Sequence, residues 1–297
     1  MQSKDSVQRF VFENLDARGC AVTLNDTVEG IQQTHHYPPH LAQTLNEFAL
    51  AAVLLHDSLK IACSVTIQLR NTSEEDAAIN LVMADCMFDR HVRAIAEYDN
   101  EKLTASLPIN LSELSNALVL AITITPEEGE RYQSIVAMEH ASLAQCLEEY
   151  FVQSEQLPTW FKFFAERDKA FGLALHGLPK EKVLDEAVAK QSFGELKILV
   201  DTLTAKEALE LTHQEILTRL FHQEPCRLFT EKPVQYGCVC SAQKSLQAIK
   251  SLGQEEVVAM LAEQQSEGNN SIFVDCHFCF QQYEFELSEL ENLFSQE

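Results

Sequence analysis

Apolar residues in this chain change their spacing several times, and each change marks an element. In RFVFEN and GCAVTL they fall on alternate positions between turn residues, which predicts two short strands near the start. Over residues 40–60, Leu41, Leu45, Phe48, Ala52 and Leu55 step by four and three and so share one buried helix face. Pro38 and Pro39 suit its first turn, where a missing N–H matters little. SVTIQLR, AAINLVM, HVRAIAEY, ALVLAITITP and YQSIVAME are rich in β-branched residues and predict strands. SLAQCLEEYFVQS predicts an amphipathic helix, and WFKFFAERD with AFGLALHG returns to strand. Runs of strands with helices set beside them predict an α+β domain, strand-rich with packed helices, over residues 1–179.

Residues 180–232 change character and predict a helical linker. Three candidate capping boxes occur, Ser192 with Glu195, Thr204 with Glu207 and Thr212 with Glu215. Leu196, Leu199 and Leu203 form one apolar stripe, and Ile216, Leu217, Leu220 and Phe221 another. Helices this short are marginal in water alone, so the stripes must dock on something. Residues 233–297 predict a small third unit. It comprises a helix in SAQKSLQAIKSLG capped by Gly253, a second helix in EEVVAMLAEQQ, and a hairpin of SIFVDC and QQYEFE around Cys276–Cys279. A unit of about 65 residues is hard to hold by core burial alone, and metals are a common remedy.

Charge narrows the function classes. The chain carries 45 Asp and Glu against 22 Lys and Arg, a formal net charge of -23. Such acidity repels phosphate backbones and anionic membranes, so neither is an expected partner. No apolar run approaches the ~18 residues of a membrane helix, and MQSKDSVQRF has no signal-peptide core, which points to the cytosol. A Gly-rich phosphate loop, a nucleophile elbow and a His-Glu zinc-protease motif are all missing, and no enzyme activity is expected. His35 and His36, beside Tyr37-Pro38-Pro39, are expected in turn or cap hydrogen bonds. Glu130 and Arg131 after Gly129 are expected to pair across a hairpin, and Trp160 with Phe161, Phe163 and Phe164 to pack in the core.

The candidate chemistry lies in the nine cysteines, which a reducing cytosol would not normally join as structural disulfides. Cys20, Cys63, Cys86, Cys146 and Cys226 stand alone and are expected as buried small apolar residues. The other four come as Cys238-Val-Cys240 and, after a gap of 35 residues, Cys276-His-Phe-Cys279. Four soft thiolate donors suit tetrahedral zinc, with an iron–sulfur cluster the lesser alternative. Spacing leaves three roles open. A zinc clip could be structural, recruiting a protein partner. It could be a redox switch, because thiolate is the form that oxidants attack and each pair holds a second thiol close by. A thiol–disulfide oxidoreductase would need Cys276 at a helix N-terminus.

RFVFEN with RGCAVTL, HHYPP, ITITPEEGERYQSIV, CLEEYFVQSEQLPT, CVC and CHFC together resemble the 33-kilodalton redox-regulated heat-shock chaperones of bacteria, across nearly the whole chain. The resemblance implies one Zn2+ on Cys238, Cys240, Cys276 and Cys279 in a reduced, inactive form. It implies that oxidants convert Cys238 with Cys240, and Cys276 with Cys279, to disulfides and release zinc. The zinc unit and linker would then unfold, and a homodimer would hold unfolded client proteins without ATP and pass them on to ATP-driven foldases. Combined with the stripes, this makes Leu196, Leu199, Leu203, Ile216 and Leu220 the candidate client-binding residues, freed when the zinc unit no longer braces the linker. Two departures stand out. Phe280 occupies a position usually Gly, where a knuckle turn wants positive φ, and NTSEED replaces a Gly-rich turn, implying a different hairpin.

Overall fold

The computed structural model describes residues 5–73, 77–103, 109–114, 118–179, 185–266, 268–269 and 271–291. The second half of the NTSEED segment, residues 74–76, lies outside them. The chain forms two compact units, Met1–Gly237 and Cys238–Glu297.

The first unit runs β1 (Ser6–Phe12), β2 (Ala17–Leu24), α1 (Asp26–Thr34), α2 (Pro39–Ser58), β3 (Cys63–Asn71), β4 (Ile79–Cys86), β5 (His91–Tyr98), β6 (Leu118–Pro126), β7 (Tyr132–Val136), α3 (Leu143–Glu155), β8 (Thr159–Ala165), β9 (Ala170–Gly177), α4 (Glu186–Asp201), α5 (Ala205–Glu210), α6 (His213–Leu220), β10 (Cys226–Leu228), β11 (Lys232–Pro233) and β12 (Gln235–Tyr236). One sheet has the order β10-β1-β2-β9-β8, with β11 also on β1; the other is β12-β5-β4-β3-β6-β7. This α+β mixture matches the class predicted from sequence.

Helix α2 contacts strands of both sheets. The predicted face of Leu41, Leu45, Phe48, Ala52 and Leu55 is buried, but so are Ala42, Ala49, Leu50, Val53 and Leu54. The one-sided expectation is therefore corrected: a helix held between two sheets is apolar all round. Near its end Asp57, almost fully buried, pairs with Arg9 and lies 3.4 Å from both Arg90 and Lys232. Burial opposes the Asp57 charge; the Arg9 hydrogen bond and the surrounding cations override it and hold the carboxyl below its ordinary range.

The sheet containing β9 is covered on both faces, and the side-chain alternation shows how. Ala170 and Ala174 join the core around α2, whereas Phe171, Leu173 and Leu175 join a second cluster with Phe10, Phe12 and Trp160. Leu196, Val200, Leu203, Ala208, Ile216, Leu217, Leu220 and Phe221 complete that second cluster. The linker helices are thus the cover of one sheet face, and Trp160 is a core residue, 4% exposed.

Thr204 with Glu207 and Thr212 with Glu215 form reciprocal capping boxes. Ser192 does not. Helix α4 starts six residues earlier, where Asp185 accepts from the amides of Ala187 and Val188, so Ser192 lies mid-helix. The segment after α6 is also not helical, because β10 and β11 add strands to β1. At the β6–β7 turn Gly129 has φ +111°, and among the described residues no ion pair joins Glu130 to Arg131.

The second unit consists of α7 (Ala242–Ser251), α8 (Gln254–Ser266), the antiparallel hairpin β13 (Ser271–Asp275) and β14 (Gln282–Glu286), and α9 (Leu287–Glu291). Gly253, at φ +93°, follows α7 and donates to Lys250 O, the predicted stop.

Candidate metal centre

The second unit has a small apolar core, in which the described residues include Ile249, Val257, Leu261, Ile272, Phe285 and Leu290. Side chains of this kind each contribute about 1.5–3 kcal/mol on burial, thin support for a unit of this size. The four cysteines lie at two turns. Cys238-Val-Cys240 runs into the start of α7, whose N-cap Ser241 accepts from Lys244 N at 3.2 Å. Lys244 Nζ reaches back to Val239 O at 2.7 Å and fastens the turn. Cys240 therefore borders a helix N-terminus, where partial positive charge favours an anionic sulfur.

Cys276 and Cys279 occupy the loop of the β13–β14 hairpin. Asp275 pairs with Gln282, Cys276 N donates to Gln281 O at 2.9 Å, and Phe280 N donates to Cys276 O at 2.8 Å. Backbone N–H groups of Cys279 and Phe278 bond the Cys276 sulfur, and that of Gln281 bonds the Cys279 sulfur. Phe280 sits at φ 56°, the left-handed conformation expected of a knuckle that ordinarily uses Gly.

The four sulfurs lie within 4.8 Å of one another. Cys238 Sγ is 3.6 Å from Cys276 Sγ, and Cys240 Sγ is 3.5 Å from Cys279 Sγ. A tetrahedral site with Zn–S bonds of about 2.3 Å has sulfur–sulfur edges of about 3.8 Å, so this cage has the size of a zinc site. It is too open for S–S bonds of about 2.05 Å, and no disulfide joins any of the nine cysteines. Burial first, then the neighbouring Cys240, Cys238 and Cys276, push the Cys279 thiol up to about 12, and burial also raises Cys276. Thiols so crowded oppose ionisation among themselves, and a divalent cation is what reverses that preference. The donor set, the edge lengths and the N–H groups aimed at sulfur all fit zinc.

Sequence reasoning missed one member of the site. The Tyr283 hydroxyl, on β14, donates to Cys240 Sγ at 3.1 Å. Only its place on a strand, four residues beyond Cys279, was visible beforehand. His277 is exposed and is not one of the clustered ligands. His35 stacks on Tyr37 with ring centroids 5.4 Å apart and, like His36, lies outside the sulfur cluster. Cys276 is in a hairpin loop, not at the helix N-terminus that an oxidoreductase motif requires.

Of the remaining cysteines, Cys20, Cys63, Cys86 and Cys146 are buried and Cys226 is half-buried. Burial pushes the Cys20 and Cys86 thiols up, which keeps them poor nucleophiles. The candidate client residues Leu196, Leu203, Ile216 and Leu220 are buried against the second cluster, and Leu199 packs on it partly exposed. No described helix is long and apolar enough to cross a membrane.

A family model described as Hsp33 protein matches residues 5–286. The 33 kDa chaperonin of Pseudomonas aeruginosa (strain PAO1) is 39% identical over 295 residues, 99% of this chain and 96% of that one. The 33 kDa chaperonin of Ectopseudomonas mendocina (strain ymp) is 40% identical over 291 residues, 98% of this chain and 95% of its own. The crystal structure of the 33 kDa chaperonin from Thermotoga maritima superposes with a TM-score of 0.75, at 19% identity over 98% of each chain, and so shares the fold.

Proposed function

Because the chain belongs to the Hsp33 family of chaperones, we propose that it is an ATP-independent holdase switched on by oxidation in the cytoplasm. The observation that carries this is the four-sulfur cage, within 4.8 Å, in a unit whose apolar core is slight. When bound there, zinc supplies folding free energy, on the order of 10–16 kcal/mol in small zinc domains, comparable with the whole stability of an ordinary domain.

Cys238, Cys240, Cys276 and Cys279 hold the metal in the reduced state. Hypochlorite takes two electrons from a cysteine pair, forming one S–S bond; its oxygen leaves as water, taking up two protons, and its chlorine leaves as chloride. The pairs proposed are Cys238 with Cys240 and Cys276 with Cys279. Each disulfide withdraws two donors, and the small unit then keeps only its weak core. The linker joins that unit through Gly237, so melting propagates along the chain. As α4–α6 leave the sheet, Leu196, Leu199, Leu203, Ile216 and Leu220 and the face holding Phe171 and Trp160 become available to unfolded clients. The active species is a homodimer that keeps clients soluble under oxidative stress and releases them to ATP-driven foldases after reduction. Its acidity favours solubility of the loaded complex.

The test is hypochlorite titration of the zinc-loaded protein, with disulfide mapping by mass spectrometry. Cys238–Cys240 and Cys276–Cys279 bonds forming as aggregation of a heat-unfolded client is suppressed support the proposal. Suppression that is equal in reduced and oxidised protein contradicts it.

A further inference from the structure

The segment from Cys226 to Tyr236 straps the outer edges of both sheets of the first unit. β10 and β11 pair antiparallel with β1, and β12 pairs parallel with β5. On the β1 edge Glu13 N donates to Pro225 O at 2.9 Å, Phe229 N to Arg9 O at 2.9 Å and Val234 N to Asp5 O at 3.1 Å. On the β5 edge Gln235 N donates to Arg90 O at 3.2 Å and Gly237 N to Val92 O at 3.1 Å. The strap ends two residues before Cys238.

Its side chains show what the edges accept. Cys226 and Leu228 pack against the cluster of Phe10, Phe12 and Phe221, whose ring centroids lie 5.0–6.1 Å apart. Arg227 between them is exposed and lies over the exposed Phe229 ring. Lys232 reaches the buried Asp57 carboxylate, and Val234 is buried in the main core. The strap is thus three short extended pieces that turn Leu228 and Val234 inward and aim one cation at a buried acid.

We infer that this strap stands in for client: once it leaves, β1 and β5 are open edges that take up an extended apolar and basic segment of a non-native polypeptide as an added strand. Unpaired edges with their backbone groups exposed are templates for this pairing. Main-chain hydrogen bonds supply binding that hardly depends on client sequence, and the two edges already accept opposite strand directions. The aromatic cluster under β10 seats alternate apolar side chains. The net charge of -23 favours a basic segment, and Lys232 beside Asp57, which Arg9 and Arg90 also flank, shows that a cation is accepted at this edge. The inference rests on the switch proposed above and specifies how the opened protein grips its client.

Hydrogen exchange of the full chain tests it, in reduced, hypochlorite-treated and client-loaded samples, with zinc content and linker proteolysis read on the same samples. Amides of β1 and β5 are expected to exchange about tenfold or more faster on oxidation and to regain protection when a heat-unfolded client is held. A labelled peptide of residues 225–236 carrying Cys226→Ser should bind the oxidised protein and displace client, whereas the same peptide with Leu228→Pro should not. If zinc leaves and aggregation is suppressed while both edges stay unprotected under client, the inference falls and the switch stands. Edges that are re-protected in oxidised protein without client, by the strap of a second copy, overturn the inference too. Zinc retained after treatment overturns the switch and this inference with it.

Discussion

Tyr283 donates its hydroxyl to the sulfur of Cys240 across 3.1 Å, linking β14 to the Cys-x-Cys turn. The bond to Cys240 holds the phenol's own pKa up to about 12, as befits a donor beside accumulating negative charge. Outer donors of this kind typically alter metal affinity by about 10–100-fold. Tyr283→Phe is therefore expected to weaken zinc binding by about tenfold. Competition with a chromophoric chelator checks this, and unchanged affinity would show that the hydroxyl does not support the site.

Phe280 carries left-handed backbone at 59% exposure, so the turn strains a residue whose ring is mostly in water. Phe280→Gly removes a penalty of about 1–2 kcal/mol and gives back part of it as unfolded-chain entropy. The zinc-loaded second unit should gain about 0.5–1 kcal/mol, seen as a higher unfolding midpoint. A lower midpoint would mean that the ring's contacts outweigh the strain.

Ile216 is fully buried where α6 meets the sheet. Ile216→Ala is expected to weaken linker docking by about 2–5 kcal/mol, raising protease sensitivity of residues 185–232 and client protection in reduced, zinc-loaded protein. Ile198→Ala, at a residue 66% exposed on α4, should change neither. Equal behaviour of the two variants would detach docking from activity.

His213, on α6, is fully buried. Its Nε2 lies 2.9 Å from Thr23 Oγ1, its ring packs 6.0 Å from that of Phe171, and its Nδ1 is 3.6 Å from Glu231 Oε1, just beyond hydrogen-bond reach. Burial lowers its pKa to about 4. An undocked linker would take up a proton near the ordinary value of about 6.5 that the docked one refuses, so docking is complete above that pH. It weakens as pH falls from about 6.5 to about 4, by about 3 kcal/mol in all, and levels below. Burial lowers His176 to about 4 as well, with the same sign for the unit as a whole, so the readout must be local to α6. Hydrogen exchange of residues 213–220 at pH 7.5 and 5 should show opening on acidification, lost in His213→Gln; opening that grows with pH would contradict it.

Where structure follows local pattern, the residues announced it. The strands fall where they were read, the Thr204 and Thr212 boxes close as their spacing implies, and the four paired cysteines converge. What stayed hidden depends on distant partners. Helix α1 was not foreseen because its cap comes from Asp5, whose carboxylate accepts from the amides of Asn25, Asp26 and Thr27 some twenty residues on. The Ser192 pattern misled because Asp185 starts the same helix earlier. The strap β10–β12 is too short to show a period, and its partners β1 and β5 lie far back in the sequence. Tyr283 looked like any strand residue until the hairpin brought it to Cys240.

The proposed switch requires that four clustered thiols hold the linker closed through the metal they bind. One stopped-flow experiment decides it: hypochlorite added to zinc-loaded protein, with zinc release read by a chelating dye and linker opening by proteolysis of quenched samples. Zinc is expected to leave first, residues 185–237 to become cleavable with the same or a slightly later time course, and client protection to follow. A linker that opens while zinc is still bound, or stays closed after zinc has gone, would contradict it.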